Sequence, residues 1–391
     1  MKTLALAAAP VALLAASPAL AVDETFDTRA GQIRVQTFAG GLVNPWAIAF
    51  LPPGLPQGGL LVTEKQGNLR HVGEDGALGE PISGVPEVDA RGQGGLLDVT
   101  LDPDFEQNRL VYLSYAEAGD GGTNGTAVAR GVLNADMTAL ENVEVIFQQQ
   151  PKVASNLHFG SRLVFDGQGH LYVTLGERSQ AQFRPQAQDL GSHLGKIVRI
   201  NPDGTVPEDN PFVGHDGALP EIYAYGIRNS QAAAINPASG ALWEIEHGPR
   251  GGDELNIVAA GRNYGWPLAT LGIEYSGDPI NGAVERRDGM VDAIHSWTPV
   301  IAPSGMIFYD GDAFADWQGD LFVGGLASTA LVRLDVNGDS VSGEERLLES
   351  LGLRIRDVAQ GPDGAIYVAT DEDNGEILRI APADGTTGAT K

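Results

Sequence analysis

One short pattern recurs six times along the chain and limits what it can fold into. An apolar strand of about five residues follows an Asp/Gly or Pro/Gly turn and ends on small or polar residues. The copies start at Leu60 (LLVTE), Leu110 (LVYLSY), Leu171 (LYVTLG), Leu242 (LWEIEH), Leu321 (LFVGG) and Ile366 (IYVAT). Several are preceded by related turns, among them Asp102-Pro103-Asp104, Asp166-Gly167, Asn236-Pro237 and Pro362-Asp363-Gly364. A four-stranded propeller blade takes about 40–50 residues, and successive copies lie at or beyond that spacing, with insertions enlarging the middle units. Long amphipathic helices are hard to find, and 52 Gly and 23 Pro are spread throughout instead of pooling in linkers. The expected fold is therefore all-β, a six-bladed β-propeller with four-stranded antiparallel blades. Two unrelated sandwiches would not repeat one strand-and-turn signature from end to end. Such a ring closes by pairing an N-terminal strand with the last blade, and Ile33 to Thr37 is the candidate.

The first residues read Met1-Lys2, then an apolar run from Leu4 to Leu14, then Ala19-Leu20-Ala21. That is the pattern of a secretory signal peptide over residues 1–21, too short and too interrupted by Pro10 and Pro18 for a membrane span. It predicts a periplasmic or secreted protein whose single propeller domain covers residues 22–383. The Gly/Thr-rich end from Asp384 to Lys391 is expected to be a disordered tail. The chain has no cysteine, which excludes disulfides, Cys-ligated metals and cysteine nucleophiles. A formal charge of −26 disfavours nucleic acid and anionic membranes as partners. No span of the mature chain is apolar enough to cross a membrane.

Chemistry concentrates in polar segments that do not repeat, and propellers bind ligands where such loops meet around the channel. His158 stands just before the strand Leu163-Val164-Phe165 and can serve as a general base, because neutral imidazole accepts an alcohol proton near pH 7. Glu177 follows the next strand, where a carboxylate could orient that ring. A lone histidine is otherwise a structural residue, and the two readings are evenly weighted. Arg228-Asn229 pairs a cation with an amide, an arrangement suited to an anion or a developing oxyanion. Arg354 and Arg356 share one face of an extended segment and suit a polycarboxylate, the alternative being ion pairs with the many acids. The segment from Glu246 to Asn256 combines glycines with Asp253 and Glu254, oxygen donors of the kind Ca2+ accepts. It lacks EF-hand spacing, and a solvated acidic turn is nearly as good a reading.

Taken in order, Gly92-Gln93-Gly94-Gly95-Leu96-Leu97-Asp98, His158-Phe159-Gly160-Ser161-Arg162-Leu163, Leu194-Gly195-Lys196, Tyr225-Gly226-Ile227-Arg228-Asn229, Gly248-Pro249 through Asn256, Asn263-Tyr264-Gly265-Trp266-Pro267 and Arg354-Ile355-Arg356-Asp357 resemble the soluble PQQ-dependent glucose and aldose sugar dehydrogenases. The resemblance runs from Asn44 to Ile380. It implies a six-bladed propeller that oxidises an aldose at its anomeric carbon with PQQ and Ca2+, passing electrons to an external acceptor. By the same resemblance His158 is the base and Glu177 its orienting carboxylate, with Arg228 stabilising charge. Gln93 would touch the sugar or quinone edge, Arg228 and Asn229 would hold cofactor oxygens, and Arg354 and Arg356 would pair with PQQ carboxylates. The carbonyls of Gly248 and Pro249 would bind the catalytic Ca2+. Glu254 and the Tyr264 carbonyl resemble ligands of a second, structural calcium, and Asp253 is counted among the metal ligands.

Two positions depart from the family. Ala327, in the loop after the fifth blade's strand, stands where the family often has a lysine near the cofactor. Leu157 replaces the acidic residue that precedes the histidine in the glucose-oxidising branch, which points to the broad-specificity aldose branch. The competing functions are a Ca2+-dependent lactonase on the same architecture and a non-catalytic ligand-binding propeller. As an assembly, the chain is read as a monomer or homodimer.

Overall fold

The computed structural model describes residues 21–383. The expected signal peptide, apart from Ala21, and the expected tail from Asp384 lie outside the described residues. Six antiparallel sheets form the six blades. Blade 1 is Pro45–Phe50, Leu60–Glu64, Asn68–Val72 and Leu78–Ile82, and blade 2 is Leu96–Leu101, Leu110–Ala118, Asn124–Leu133 and Leu140–Gln148. Blade 3 is Leu163–Phe165, Leu171–Leu175, Lys196–Ile200 and Ile222–Tyr225, and blade 4 is Ser230–Ile235, Leu242–Glu246, Asp253–Ile257 and His295–Trp297. Blade 5 is Pro303–Phe308, Leu321–Gly325, Ala330–Asn337 and Ser340–Leu347. Blade 6 starts with Ile355–Gln360, Ile366–Thr370 and Gly375–Pro382. The first strand of every blade touches the first strands of both neighbours, so these strands wall a central channel.

All six repeated segments are second strands of blades. Between a first and a third strand, and packed on both faces by neighbouring blades, a second strand has no solvent side; five of the six are buried at every residue. Continuous apolar runs result, not alternation. Outer strands such as Leu140–Gln148 and Ser340–Leu347 face water and carry charge. An apolar cluster fills each of the six blade interfaces, for example Leu61 with Leu113 between blades 1 and 2, or Val332 with Ile245 between blades 4 and 5. Each fully buried Leu, Ile or Val contributes roughly 1.5–3 kcal/mol to holding the ring.

The ring closes as expected: Gly31–Leu42 pairs with Gly375–Pro382, Val35 facing Ile380 and Gln36 facing Arg379. Closure joins the last blade to the chain's beginning and removes a free edge. An additional strand, Asp23–Thr28, pairs outside Gly31–Leu42 and makes blade 6 five-stranded. The sequence pattern did not separate this strand, which is largely exposed and has no apolar signature.

A buried ion network spans the channel. Arg162, just before the first strand of blade 3, reaches Asp98 of blade 2 at 2.7 Å and Asp357 of blade 6 at 3.1 Å. Its Nε donates to the Gln231 carbonyl at 3.0 Å. Asp98 accepts the Leu163 amide at 2.6 Å, and Asp357 accepts that of Ile48 at 2.8 Å. Burial raises the Asp98 carboxyl to about 7 against the pull of Arg162. These three motif residues bind blades together and do not line the cavity that His158 faces.

Candidate functional site

Every strand order above places two kinds of loop at one end of the channel: the segment entering each first strand and the segment leaving each second strand. There they surround a cavity of about 370 Å3, within the size range of small-molecule and cofactor sites. Residues before first strands supply Gln93, His158, Arg228 and Arg354; residues after second strands supply Lys65, Gly248, Leu326 and Asp371.

His158 takes φ 50°, a left-handed conformation uncommon for a residue with a side chain, and is followed by Gly160 and Ser161 also at positive φ. Its amide donates to Gln93 Oε1 at 2.8 Å, so Gln93, which also lines the cavity, fixes the turn that presents the imidazole. A Cβ on Gly176 would stand 2.2 Å from the His158 carbonyl, which explains glycine there. His158 Nδ1 lies 2.6 Å from Glu177 Oε2, and that same oxygen accepts the Ser179 amide at 2.7 Å. An ionised carboxylate only accepts, so Nδ1 carries the proton and Nε2 keeps its lone pair. Burial lowers the imidazole below its ordinary value; Glu177 offsets this in part, and Arg228 adds to the lowering. Burial opposes the charge on Glu177, yet His158 and Arg228 outweigh it and hold the carboxyl below its ordinary range. The pair is a neutral base held by an anion.

Arg228 is 3% exposed and stacks over Trp266 at 5.3 Å. One nitrogen, Nη1, donates to the carbonyls of His247 at 2.9 Å and Gly248 at 3.0 Å. Nη2 reaches the Tyr275 hydroxyl at 3.3 Å, while Nε is buried without a partner. Asn229 Oδ1 accepts the Gly160 amide at 3.0 Å, which leaves its amide group for the cavity. Arg354 and Arg356 converge on Asp371: Arg354 Nη2 at 2.7 Å and Arg356 Nη2 at 3.0 Å. Burial disfavours the Asp371 charge, but Arg356 and Arg354 prevail and hold it below the usual carboxylate range. Arg354 also donates to the Leu326 carbonyl at 3.1 Å, and Arg356 to Gln231 Oε1 at 3.2 Å. In a chain of charge −26, this cavity gathers Lys65, Arg228, Arg354 and Arg356 around one acid beyond the His158 partner.

The glycine motif before blade 2 has a geometric cause. A Cβ at Gly92 would meet the Asn156 carbonyl at 2.4 Å, and one at Gly95 would meet the Lys65 carbonyl at 2.0 Å. The segment threads between blades 1 and 3, and at these two positions only glycine fits.

Of the expected metal ligands, Gly248 lines the cavity and Pro249 is buried behind it, against Gly272. Asp253 does not face the cavity: its two oxygens accept the amides of Gly248 at 2.7 Å and of Ile301 and Ala302 at 2.8 Å. Its place here is that of a support for Gly248, and burial raises it to about 6. Glu254 and Tyr264 lie apart, lining a cavity of about 40 Å3 together with Asp292. Burial pushes the Glu254 carboxyl up to about 7. Among the described residues no three His, Asp or Glu side chains are grouped to hold a metal. The carbonyls that Arg228 reaches are hard oxygen donors of the type calcium accepts, so a cation here would be held by backbone and by ligand oxygens. The orphaned Arg228 Nε and the cation cluster fit a polycarboxylate.

Several lining residues had no role assigned from sequence. Asp371 is one; Gln231, which joins Arg356 to His247, is another; Asn44, Trp46, Lys65, His247, Tyr275 and Leu326 are others. All but Tyr275 occupy the two loop positions named above or lie within the first turn of a first strand, and that positional rule is the signal that finds them. Tyr275 sits in the insertion between the third and fourth strands of blade 4, tied down by Glu274 pairing with Arg184 at 2.5 Å. It is 67% exposed at the cavity rim.

A buried histidine–carboxylate pair beside a cluster of cations marks the channel of this six-bladed propeller, and similarity to known proteins places the chain among the sugar dehydrogenases, a class of oxidoreductase. The chain belongs to the Glucose / Sorbosone dehydrogenase family, whose pattern matches residues 42–379. It is 50% identical over 351 residues to the aldose sugar dehydrogenase YliI of Escherichia coli K12, covering 90% of this chain and 93% of that one. A crystal structure of the soluble aldose sugar dehydrogenase from Escherichia coli in its apo form superposes with a TM-score of 0.86 at 49% identity, covering 90% of this chain and 99% of that one. The PQQ-bound aldose sugar dehydrogenase from Streptomyces coelicolor gives a TM-score of 0.71 at 27% identity, covering 93% and 100%.

Proposed function

We propose that residues 22–383 form a PQQ- and Ca2+-dependent dehydrogenase that oxidises aldose sugars at the anomeric carbon to the lactone. The observation that carries this reading is the neutral His158, held by Glu177 at 2.6 Å, facing a cavity that also gathers Lys65, Arg228, Arg354 and Arg356. When bound, the quinone supplies the acceptor for the C1 hydride, and calcium supplies Lewis-acid polarisation of its carbonyl. His158 Nε2 takes the proton of the anomeric hydroxyl as the C1–H bond is lost, so that C1–O becomes the lactone carbonyl. Glu177 stabilises the imidazolium that forms and keeps the ring aimed. Arg354 and Arg356, with Asp371 fixing their planes, hold carboxylates; Arg228 and Asn229 address the cofactor's oxygens, and Gln93 positions His158. Gly248 and Pro249 offer carbonyls to the catalytic calcium, while Glu254 and the Tyr264 carbonyl serve a second, structural one. Leu157 removes an acceptor for sugar hydroxyls and favours broad aldose specificity.

The leader pattern supports export to the periplasm, with electrons leaving to an external acceptor. A calcium lactonase is disfavoured, because hydrolysis has no use for four cations and the one carboxylate lining the cavity, Asp371, is engaged by Arg354 and Arg356; among the described residues no three acidic or His side chains are grouped to hold a metal. The test is reconstitution: cofactor-free protein receives PQQ and Ca2+ singly and together, and dye reduction is followed with a panel of aldoses. Reduction that needs both additions and a reducing sugar is expected. Silence with no quinone retained after desalting contradicts the reading.

A further inference from the structure

The four cations of the cavity are not equivalent. Arg228 is engaged by two carbonyls, and Arg354 and Arg356 by Asp371. Lys65 lines the same cavity, yet its ammonium makes no hydrogen bond or ion pair to any described residue. Its backbone, in contrast, is pinned on both sides. The Lys65 amide donates to the Asn44 carbonyl at 3.1 Å, and its own carbonyl accepts the Leu96 amide at 3.0 Å, across the gap between blades 1 and 2. Gly95 must be glycine because of that carbonyl. Lys65 is the first residue after the second strand of blade 1, the position held by Asp371 in blade 6 and one residue before those of Glu177 and Gly248 in blades 3 and 4.

Blade 5 contributes nothing charged from the equivalent loop. Leu326 is the residue lining the cavity there, its carbonyl is taken by Arg354, and Ala327 is exposed with its amide bound to the Ile301 carbonyl at 2.9 Å. A lysine ordinarily leaves its ammonium in water, and a neutral sugar gives a full positive charge little to do. A polycarboxylate does, because a charge-assisted bond formed inside a partly enclosed site is among the stronger single contacts available.

Resting on the function proposed above, we infer that Lys65 is a cofactor-binding residue: its ammonium pairs with a carboxylate of the bound quinone and supplies from blade 1 the cation that blade 5 lacks. The contact adds affinity and makes binding more sensitive to salt.

The test is a titration of cofactor-free protein with PQQ, in calcium and without sugar, read by quenching of tryptophan fluorescence; Trp46 lines the cavity and reports occupancy. Wild type, Lys65→Met and Lys65→Arg are compared at two ionic strengths. The expected result is a Kd at least fivefold higher for K65M, with a shallower salt dependence, and a Kd for K65R that stays closer to wild type than to K65M. A K65M Kd within fivefold of wild type, or equal weakening in K65R, overturns the inference. Failure of the wild-type protein itself to bind PQQ brings down the proposed function and this inference with it, and is distinguishable because it does not depend on the variant.

Discussion

Nδ1 of His158 and Oε2 of Glu177 are 2.6 Å apart, both buried, and the carboxylate is the one neighbour that raises the basicity of an imidazole that burial otherwise lowers. The histidine pKa in the folded protein lies below its ordinary value of 6.5. The base form is present above that pKa and lost below it. kcat/KM for aldoses is therefore expected to hold level down to about pH 6.5 and to fall on further acidification. Glu177→Gln removes the charge that raises His158, so the acid limb moves to still lower pH while kcat drops about 10–100-fold, the usual effect of an orienting partner. A pH profile separates this from a packing defect, which lowers kcat and leaves the limb in place.

Arg228 covers the carbonyls of His247 and Gly248. A cation bound at the Gly248 carbonyl is repelled by the guanidinium, while an anionic quinone is attracted by it. Arg228→Ala is expected to move two affinities in opposite directions, tightening calcium binding to the quinone-free protein and weakening PQQ by about tenfold or more. Calorimetric titration with each ligand checks both signs. Parallel loss of both affinities shows that the side chain is needed for the shape of the site instead.

The Arg162 network predicts a pH-dependent stability defect. Arg162→Met leaves Asp98 and Asp357 buried without their counter-ion, and breaking such a cluster costs about 3–5 kcal/mol. Asp98 is already raised to about 7 in the folded protein, above its unfolded value of 3.8. In that interval the folded state binds the extra proton, so its stability rises as pH falls. The deficit of R162M in urea unfolding is therefore expected to be larger at pH 8 than at pH 5.

How much of this could be read from sequence follows from where each element sits. The second strands were visible because both of their faces are buried, which forces an unbroken apolar run at Leu171–Leu175 or Ile366–Thr370. Outer strands such as Leu140–Gln148 leave no such mark, and neither does the extra strand Asp23–Thr28. His158, Arg228 and the Arg354–Arg356 pair stand out in the sequence as polar groups beside buried strands, and the structure brings them to one cavity, with Glu177 against His158. Asp371 does not stand out, because one acid among 51 Asp and Glu carries no signal until the topology places it between two arginines. Asp253 carried a signal that spacing alone could not resolve: it looked like a metal ligand, and in the structure three backbone amides occupy its oxygens.

Gly95 offers a test of the blade 1 and blade 2 junction. It adopts φ +135°, and a Cβ there would stand 2.0 Å from the Lys65 carbonyl. Gly95→Ala is expected to destabilise the protein by about 1–3 kcal/mol, the range for strain at such a backbone position. Because the displaced carbonyl belongs to Lys65, PQQ affinity falls as well. Denaturant unfolding and cofactor titration of the same preparation measure both effects.

The central claim is that His158 is the base in aldose oxidation, and turnover of His158→Gln at saturating PQQ, Ca2+ and sugar tests it most directly. The expected result is a 10²–10⁴-fold loss of kcat, the usual worth of a general base, in a protein that still retains quinone. Turnover within a few-fold of wild type, with quinone retained, would contradict the account.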